Sequence, residues 1–212
     1  KFLFVSNWFD NTISVIEIIS KKIIKKINVG ENPAGLITNK LTGDIIVANK
    51  NSNTVSIIDF NSLTIKKNIA VQNAPFGVFL NSKQDKIFVT NVQSNSVSVI
   101  NFNNLKLIKN IKVGKWPYHV AFDENTKKVI VSNQRDNSIF IINSENYKVE
   151  KKIENFCEYP EGINVSKQKR IAIIACWFND EVAIIDLLDY SLKKKITTSG
   201  GPRAFGNFII EN

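Results

Sequence analysis

Apolar residues along this chain come in short runs, five to eight residues long, and each run is bounded by asparagine, aspartate, serine or glycine. Residues 75–112 show the pattern. Pro75-Phe76-Gly77-Val78-Phe79-Leu80 opens apolar, and Asn81-Ser82-Lys83-Gln84-Asp85 is a turn cluster. Lys86-Ile87-Phe88-Val89-Thr90-Asn91 is a run of buried type, and residues 95–101 largely alternate apolar with polar. Asn103-Asn104 marks another turn, and residues 105–112 form a mixed run rich in lysine. Val, Ile, Phe and Thr dominate these runs, as a pleated and packed surface favours. No stretch holds a helical period long enough to compete. The pattern predicts four short strands, A (75–80), B (86–91), C (95–101) and D (105–112), joined by turns.

The same unit returns every 42 or 43 residues. Asn7, Asn49, Asn91, Asn133 and Cys176 close strand B, and Asn11, Asn53, Asn95, Asn137 and Asp180 precede strand C. All five prolines, Pro33, Pro75, Pro117, Pro160 and Pro202, stand at one place in the grid. A period of this length marks a propeller or a solenoid, and four antiparallel strands per period make one propeller blade. The expected fold is all-β, a single β-propeller domain over residues 1–212 with five blades. Residues 1–7 match strand B and residues 201–208 match strand A, so the C-terminal strand is expected to pair with the N-terminal strands and close the ring. One face of strand C, carrying Val55, Ile57, Val97, Val99, Ile139, Ile141, Val182 and Ile184, is expected to fill the space between blades.

The net charge of +9 matters through its distribution. Lysines crowd strand D of every repeat: Lys25 and Lys26, Lys66 and Lys67, Lys109 and Lys112, Lys151 and Lys152, Lys194 and Lys195. That spread favours protection of exposed outer strands over a single patch for an anionic partner. No apolar run approaches the roughly 18 residues of a membrane helix. The chain holds no methionine and starts flush with a strand, so a processed or truncated chain is expected.

Phe88-Val89-Thr90-Asn91 followed by Asn95-Ser96-Val97-Ser98-Val99-Ile100 resembles the YVTN-type β-propeller repeat, with Phe4-Val5-Ser6-Asn7 and Val131-Ser132-Asn133 as close variants. The resemblance covers essentially the whole chain. It implies an extracytoplasmic setting, periplasmic or at the cell surface as in surface-layer proteins, and often a ring of about seven blades. By that measure the five blades are a complete ring or a fragment of a six- or seven-bladed one.

In an antiparallel blade the D-to-A and B-to-C connections emerge at the same end. The residues flanking the prolines there differ most between repeats, and Trp116, Tyr118, His119, Tyr159, Glu161 and Arg203 form a mixed aromatic and charged set suited to a ligand. The plainer reading is packing with a structural Glu161–Arg203 ion pair. Trp8 and Trp177 hold one repeat position in blades 1 and 5, and ring closure would set them side by side as a partner-binding patch; the alternative is that both rings fold over their loops. Cys157 and Cys176 stand one strand apart, where a disulfide is attainable. Two buried free thiols, or a reactive pair, are the alternatives. His119 is the only histidine and takes the place of Gly35, Gly77 and Gly162 in other repeats. One histidine builds neither a histidine-rich metal site nor a Ser-His-Asp site with a spare ligand. No phosphate-cradling loop or haem-attachment motif is present.

The expected function is a non-enzymatic extracytoplasmic binding or scaffold propeller, with no cofactor and with a protein, glycan or small-molecule ligand. One alternative is an enzyme subunit, either a lactonase-like hydrolase or a quinoprotein-type redox propeller. A second is single-stranded nucleic-acid binding, which the even spread of lysine disfavours.

Overall fold

The computed structural model describes residues 1–204 together with 208 and 209. Its nineteen strands form five antiparallel sheets in which each strand pairs with its sequence neighbour. The first sheet holds β1 (Phe2–Asn7), β2 (Thr12–Glu17) and β3 (Lys22–Asn28), and the second β4 (Pro33–Thr38), β5 (Ile45–Asn49), β6 (Thr54–Ile58) and β7 (Ile65–Ala70). The third holds β8 (Pro75–Leu80), β9 (Lys86–Asn91), β10 (Ser96–Asn101) and β11 (Lys106–Lys112). The fourth holds β12 (Pro117–Asp123), β13 (Lys128–Asn133), β14 (Ser138–Asn143) and β15 (Val149–Glu154). The fifth holds β16 (Pro160–Ser166), β17 (Ile171–Cys176), β18 (Glu181–Asp186) and β19 (Leu192–Thr197). The first sheet thus has three strands among the described residues. Its expected fourth strand, and the ring closure it would make, fall on a segment that includes residues 205–207, outside the described residues.

Strands C and D of the third repeat each begin one residue later than the apolar pattern suggests. Asn95 and Leu105 have left-handed backbones, with φ of 52° and 53°, and so belong to the turns. Two 3-10 turns, Gln134–Asp136 and Trp177–Asn179, also stand where only loops were expected.

The chain divides into two compact units, residues 1–94 with 98–110, and residues 95–97 with 111–212. In the first unit, Ile13, Val15, Ile45, Val47 and Ile58 pack the first sheet on the second, and Ile46, Val55, Ile57, Val78, Ile87, Val89 and Ile100 pack the second on the third. In the second unit, Ala121, Ile130, Ile139, Ile141, Ile163, Ile174, Ala183 and Ile185 join the fourth and fifth sheets. The two-residue period of a strand puts these side chains on facing surfaces. Val55, Ile57, Val97, Val99, Ile139 and Ile141 are buried as their face of strand C requires. Val182 and Ile184 are only half-buried, because it is the opposite face of β18, with Ala183 and Ile185, that packs on the fourth sheet.

Outer strands keep lysine in the solvent, and many of these lysines meet an acid of their own sheet. Lys152 Nζ lies 3.1 Å from Asp136 and Lys195 Nζ 3.0 Å from Glu181. Lys66 bridges Asp44 at 2.8 Å and Asp59 at 2.9 Å. Among the described residues no helix is long and apolar enough to cross a membrane.

Candidate functional site

Each strand A enters its sheet through a fixed device. Asn11, Asn53, Asn95, Asn137 and Asp180 all have left-handed backbones, with φ between 48° and 55°, a conformation that Asn and Asp tolerate better than other side-chain-bearing residues. The Oδ1 of each accepts the backbone N–H of the residue before the next proline. The five distances are 2.9 Å to Asn32, 2.9 Å to Ala74, 3.0 Å to Trp116, 3.0 Å to Tyr159 and 2.5 Å to Gly201. Those five acceptor-held residues are left-handed too, with φ from 49° to 57°. Asparagine and glycine accept that geometry readily, but at Ala74, Trp116 and Tyr159 it costs about 1–2 kcal/mol each. The clamp from the preceding turn holds them there.

A β-bulge follows the proline. Register shifts lie between Pro33 and Leu36, Pro75 and Val78, Pro117 and His119, and Pro160 and Ile163. A bulge re-aims the side chain it carries, and here it carries Ala34, Phe76, Tyr118 and Glu161, the last two among the residues nominated from the sequence. Gly162, beside Glu161, has no room for a side chain: a Cβ there would collide with the Ala204 carbonyl oxygen.

The bulge in the fifth sheet leaves Glu161 with no exposure to solvent. Arg203 grips it in bidentate fashion, Nε donating to Oε2 at 2.6 Å and an Nη to Oε1 at 2.9 Å. The same Nη donates to the Tyr118 hydroxyl oxygen at 3.1 Å. Gln134 Nε2, from the 3-10 turn of the fourth repeat, donates to Oε1 at 2.6 Å. Ser132 Oγ donates to the Glu161 carbonyl oxygen at 2.6 Å. A buried charge demands such partners. The Arg203 side chain is 49% exposed, so this network reaches the surface through its guanidinium. Burial, and then the charge of Glu161, raise the pKa of the Tyr118 hydroxyl and keep it protonated. Hydrogen bonds to Glu161 hold Arg203 still more firmly protonated than usual.

Aromatic rings wall the guanidinium. Arg203 Cζ lies 4.3 Å from the centroid of Trp177. Trp177 meets Tyr159 edge-on at 5.9 Å and Phe178 at 4.9 Å, and Tyr159 stacks on Phe178 at 4.3 Å. Phe178 stays 57% exposed. In the fourth repeat Trp116 carries Arg135, whose Cζ is 3.4 Å from the ring centroid. The two connections are sewn together there, since Gln134 N–H donates to the Trp116 carbonyl oxygen at 2.9 Å and Arg135 N–H to that of Lys115 at 3.2 Å.

The sequence-nominated residues therefore separate. Trp116, Tyr118, Tyr159, Glu161, Trp177 and Arg203 gather in the second unit around these contacts. Trp8 belongs to the first unit, where it meets Phe76 edge-on at 6.2 Å and Lys50 Nζ at 5.1 Å. Its expected pairing with Trp177 depends on ring closure, outside the described residues. His119 is buried against the backbone of Ile163, with Nδ1 3.1 Å from the carbonyl oxygen and 3.3 Å from the nitrogen, so the bond made follows the tautomer. Burial lowers its pKa to about 4, which leaves a neutral imidazole. Cys157 and Cys176 form a disulfide, with Cα atoms 5.3 Å apart. It anchors both loops of the aromatic wall, because Cys157 precedes Tyr159 by two residues and Cys176 adjoins Trp177.

Gln134 and Arg135 escaped the sequence reading, although Gln134 stands in the same repeat column as Trp8 and Trp177. Arg135 stands in the next column, with Phe9 and Phe178. Among the described residues no group of three or more His, Cys, Asp or Glu side chains is placed to hold a metal ion.

No protein-family model matches the sequence, and no curated protein is significantly similar to it. Solved structures share its fold. A hydrazine synthase from Kuenenia stuttgartiensis aligns with 95% of this chain and 84% of its own, at a TM-score of 0.70 and 14% identity. A virginiamycin B lyase from Staphylococcus aureus aligns with 92% of this chain at a TM-score of 0.80 and 15% identity; the chain spans 66% of that protein, just under two thirds. At such identities the likeness shows the β-propeller fold and nothing finer.

Proposed function

We propose that this β-propeller is a non-enzymatic binding module of the YVTN-repeat type, working outside the cytoplasm as a single domain. Its ligand meets Tyr159, Trp177 and Arg203, which the buried Glu161 and Tyr118 hold in place. A propeller fold hosts unrelated functions, so the site must carry the argument. The observation that carries it is the fully buried Glu161 held by a half-exposed Arg203. That network fixes a guanidinium at the surface beside aromatic rings, with the buried Tyr118 phenol bonded behind it. Such a preorganised polar set beside apolar faces suits recognition.

A binding role fits the chemistry better than turnover at this site. Both Glu161 oxygens already accept charge-assisted or amide hydrogen bonds, and the Tyr118 hydroxyl is held protonated. His119 faces backbone and has lost its usual basicity. The extracytoplasmic setting is supported by the disulfide, a bond that persists in oxidising compartments.

The test is calorimetric titration of the purified protein with acidic glycans, neutral glycans and peptides, repeated with Tyr118→Phe and Trp177→Ala. A ligand whose affinity falls at least about tenfold in Trp177→Ala supports the reading. Binding unaffected by both substitutions, or chemical conversion of the bound ligand by the wild type, refutes it.

A further inference from the structure

We infer that Arg135, held over the Trp116 ring, is an oxyanion anchor for the carboxylate of an acidic glycan whose sugar rings extend toward Tyr159 and Phe178. The inference rests on the reading that this face binds a ligand, and it names the ligand class.

Arginine is rare in this chain. Of 28 basic residues only Arg135, Arg170 and Arg203 are arginine, and two of these three lie on tryptophan rings. Lysine, used everywhere else, would provide charge without a planar fork. Arg203 spends its fork on Glu161 and Tyr118. Arg135 does not: among the described residues no ion pair or side-chain hydrogen bond engages its guanidinium. Its neighbour Asp136 is taken up by Lys152 Nζ at 3.1 Å and by Ser138 Oγ at 2.9 Å. With Cζ 3.4 Å from the Trp116 ring centroid and the residue exposed, the guanidinium keeps its donors unspent, and its planar fork matches a carboxylate.

The anchor is also preorganised. The 3-10 turn Gln134–Asp136 fixes Arg135, and two backbone bonds join that turn to Lys115 and Trp116. Trp116 itself is held left-handed by Asn95, a strained placement for a tryptophan. Strain of this kind is not needed to fill the position, since Asn32 and Gly201 fill it without strain. In the two repeats where an aromatic residue stands there, Trp116 and Tyr159, the following turn is a 3-10 turn that stacks on it. Asn137 then ties the anchor to the aromatic wall, accepting the Tyr159 N–H at 3.0 Å. An oxyanion site and an exposed ring platform therefore share one short turn.

Carboxylate on a sugar fits better than phosphate on a nucleic acid. Single-stranded nucleic acid needs a continuous basic groove beside its stacking rings. Here the lysines lie on the outer strands of all five sheets, many against acids. The disulfide points to a compartment where glycans, rather than nucleic acids, are met.

The experiment is calorimetry with a short oligogalacturonate, its fully methyl-esterified counterpart and a single-stranded oligonucleotide, on the wild type and on Arg135→Lys. The expected result is acid binding at least about tenfold tighter than ester binding, with roughly tenfold loss in Arg135→Lys although its charge is kept. Equal binding of acid and ester, or full affinity in Arg135→Lys, overturns the anchor while leaving the face as a binding surface. Tighter binding of the oligonucleotide with the same dependence on Arg135 overturns the glycan assignment. No binding of either glycan overturns the anchor and removes glycans from the reading of the whole face.

Discussion

Cys157 and Cys176 are bonded at the place where Gly30 lies against Asn49 in the second repeat and Gly114 against Asn133 in the fourth. At Gly30 and Gly114 an added Cβ would come within 2.7–2.9 Å of the asparagine side chain, so glycine is required there. The fifth repeat replaces both members of the pair together, and the bond turns a tight contact into a covalent one. Cys157→Ala with Cys176→Ala is expected to lower stability by about 3 kcal/mol, the closure of a loop of this size. Cys157→Gly with Cys176→Asn, which installs the pairing of the second and fourth repeats, should recover part of that loss. Urea unfolding of the three proteins checks this, and reductant should shift only the wild type.

The Asn95 Oδ1 to Trp116 N–H bond makes a separate prediction, because Asn95 has two duties. Asn95→Gly keeps the left-handed turn and loses the acceptor, for a cost of about 1 kcal/mol. Asn95→Ala loses both, for about 2 kcal/mol. Asn95→Asp keeps both, as Asp180 does naturally, and should be near neutral. The order of unfolding midpoints, Asp above Gly above Ala, is the readout.

Removing Arg203 strands a buried carboxylate. Arg203→Ala should destabilise by about 2–3 kcal/mol, less than a fully buried pair because half the guanidinium is solvated. Glu161→Gln with Arg203→Ala should cost less than Arg203→Ala alone, since the stranded charge is gone. A double-mutant cycle by thermal unfolding tests it, and simple additivity of the two changes would contradict the coupling.

His119 sets a pH dependence with a definite sign. Its folded pKa of about 4 lies below the ordinary histidine value of 6.5. Above pH 6.5 both states are neutral and the group is silent. As the pH falls from 6.5 toward 4, the unfolded chain takes up a proton that the folded chain refuses, and stability drops. The full loss is roughly 3 kcal/mol. As the chain has one histidine, no other histidine contributes to the slope between pH 6.5 and 5. His119→Gly, the residue of the other repeats, should flatten it in denaturation curves.

The architecture was readable because a stacked repeat imposes one environment on equivalent positions. Asn95 and its counterparts are polar for a backbone reason, and Pro117 and its counterparts mark a strand entry. Both reasons recur in each blade and so leave a period. Strands C and D begin after Asn95 and Leu105 because a left-handed backbone, which residue type and apolar pattern do not encode, places both residues in turns. Tyr118, Glu161 and Arg203 stood out as departures from the repeat. Gln134 and Arg135 did not, because their importance lies in reaching Glu161 and Trp116 from a turn whose 3-10 geometry has no signature in composition. The bulge after each proline, which aims Glu161, is likewise a matter of register that apolar alternation does not encode.

The three tryptophans offer the most direct test of a binding face on the second unit. Their indole N–H resonances, assigned by single Trp→Phe replacement, can be followed by NMR while the acidic oligogalacturonate is added. The account predicts saturable shifts of Trp116 and Trp177 with one common affinity, and no shift of Trp8. Movement of Trp8 alone, or uniform movement of all three, would contradict it.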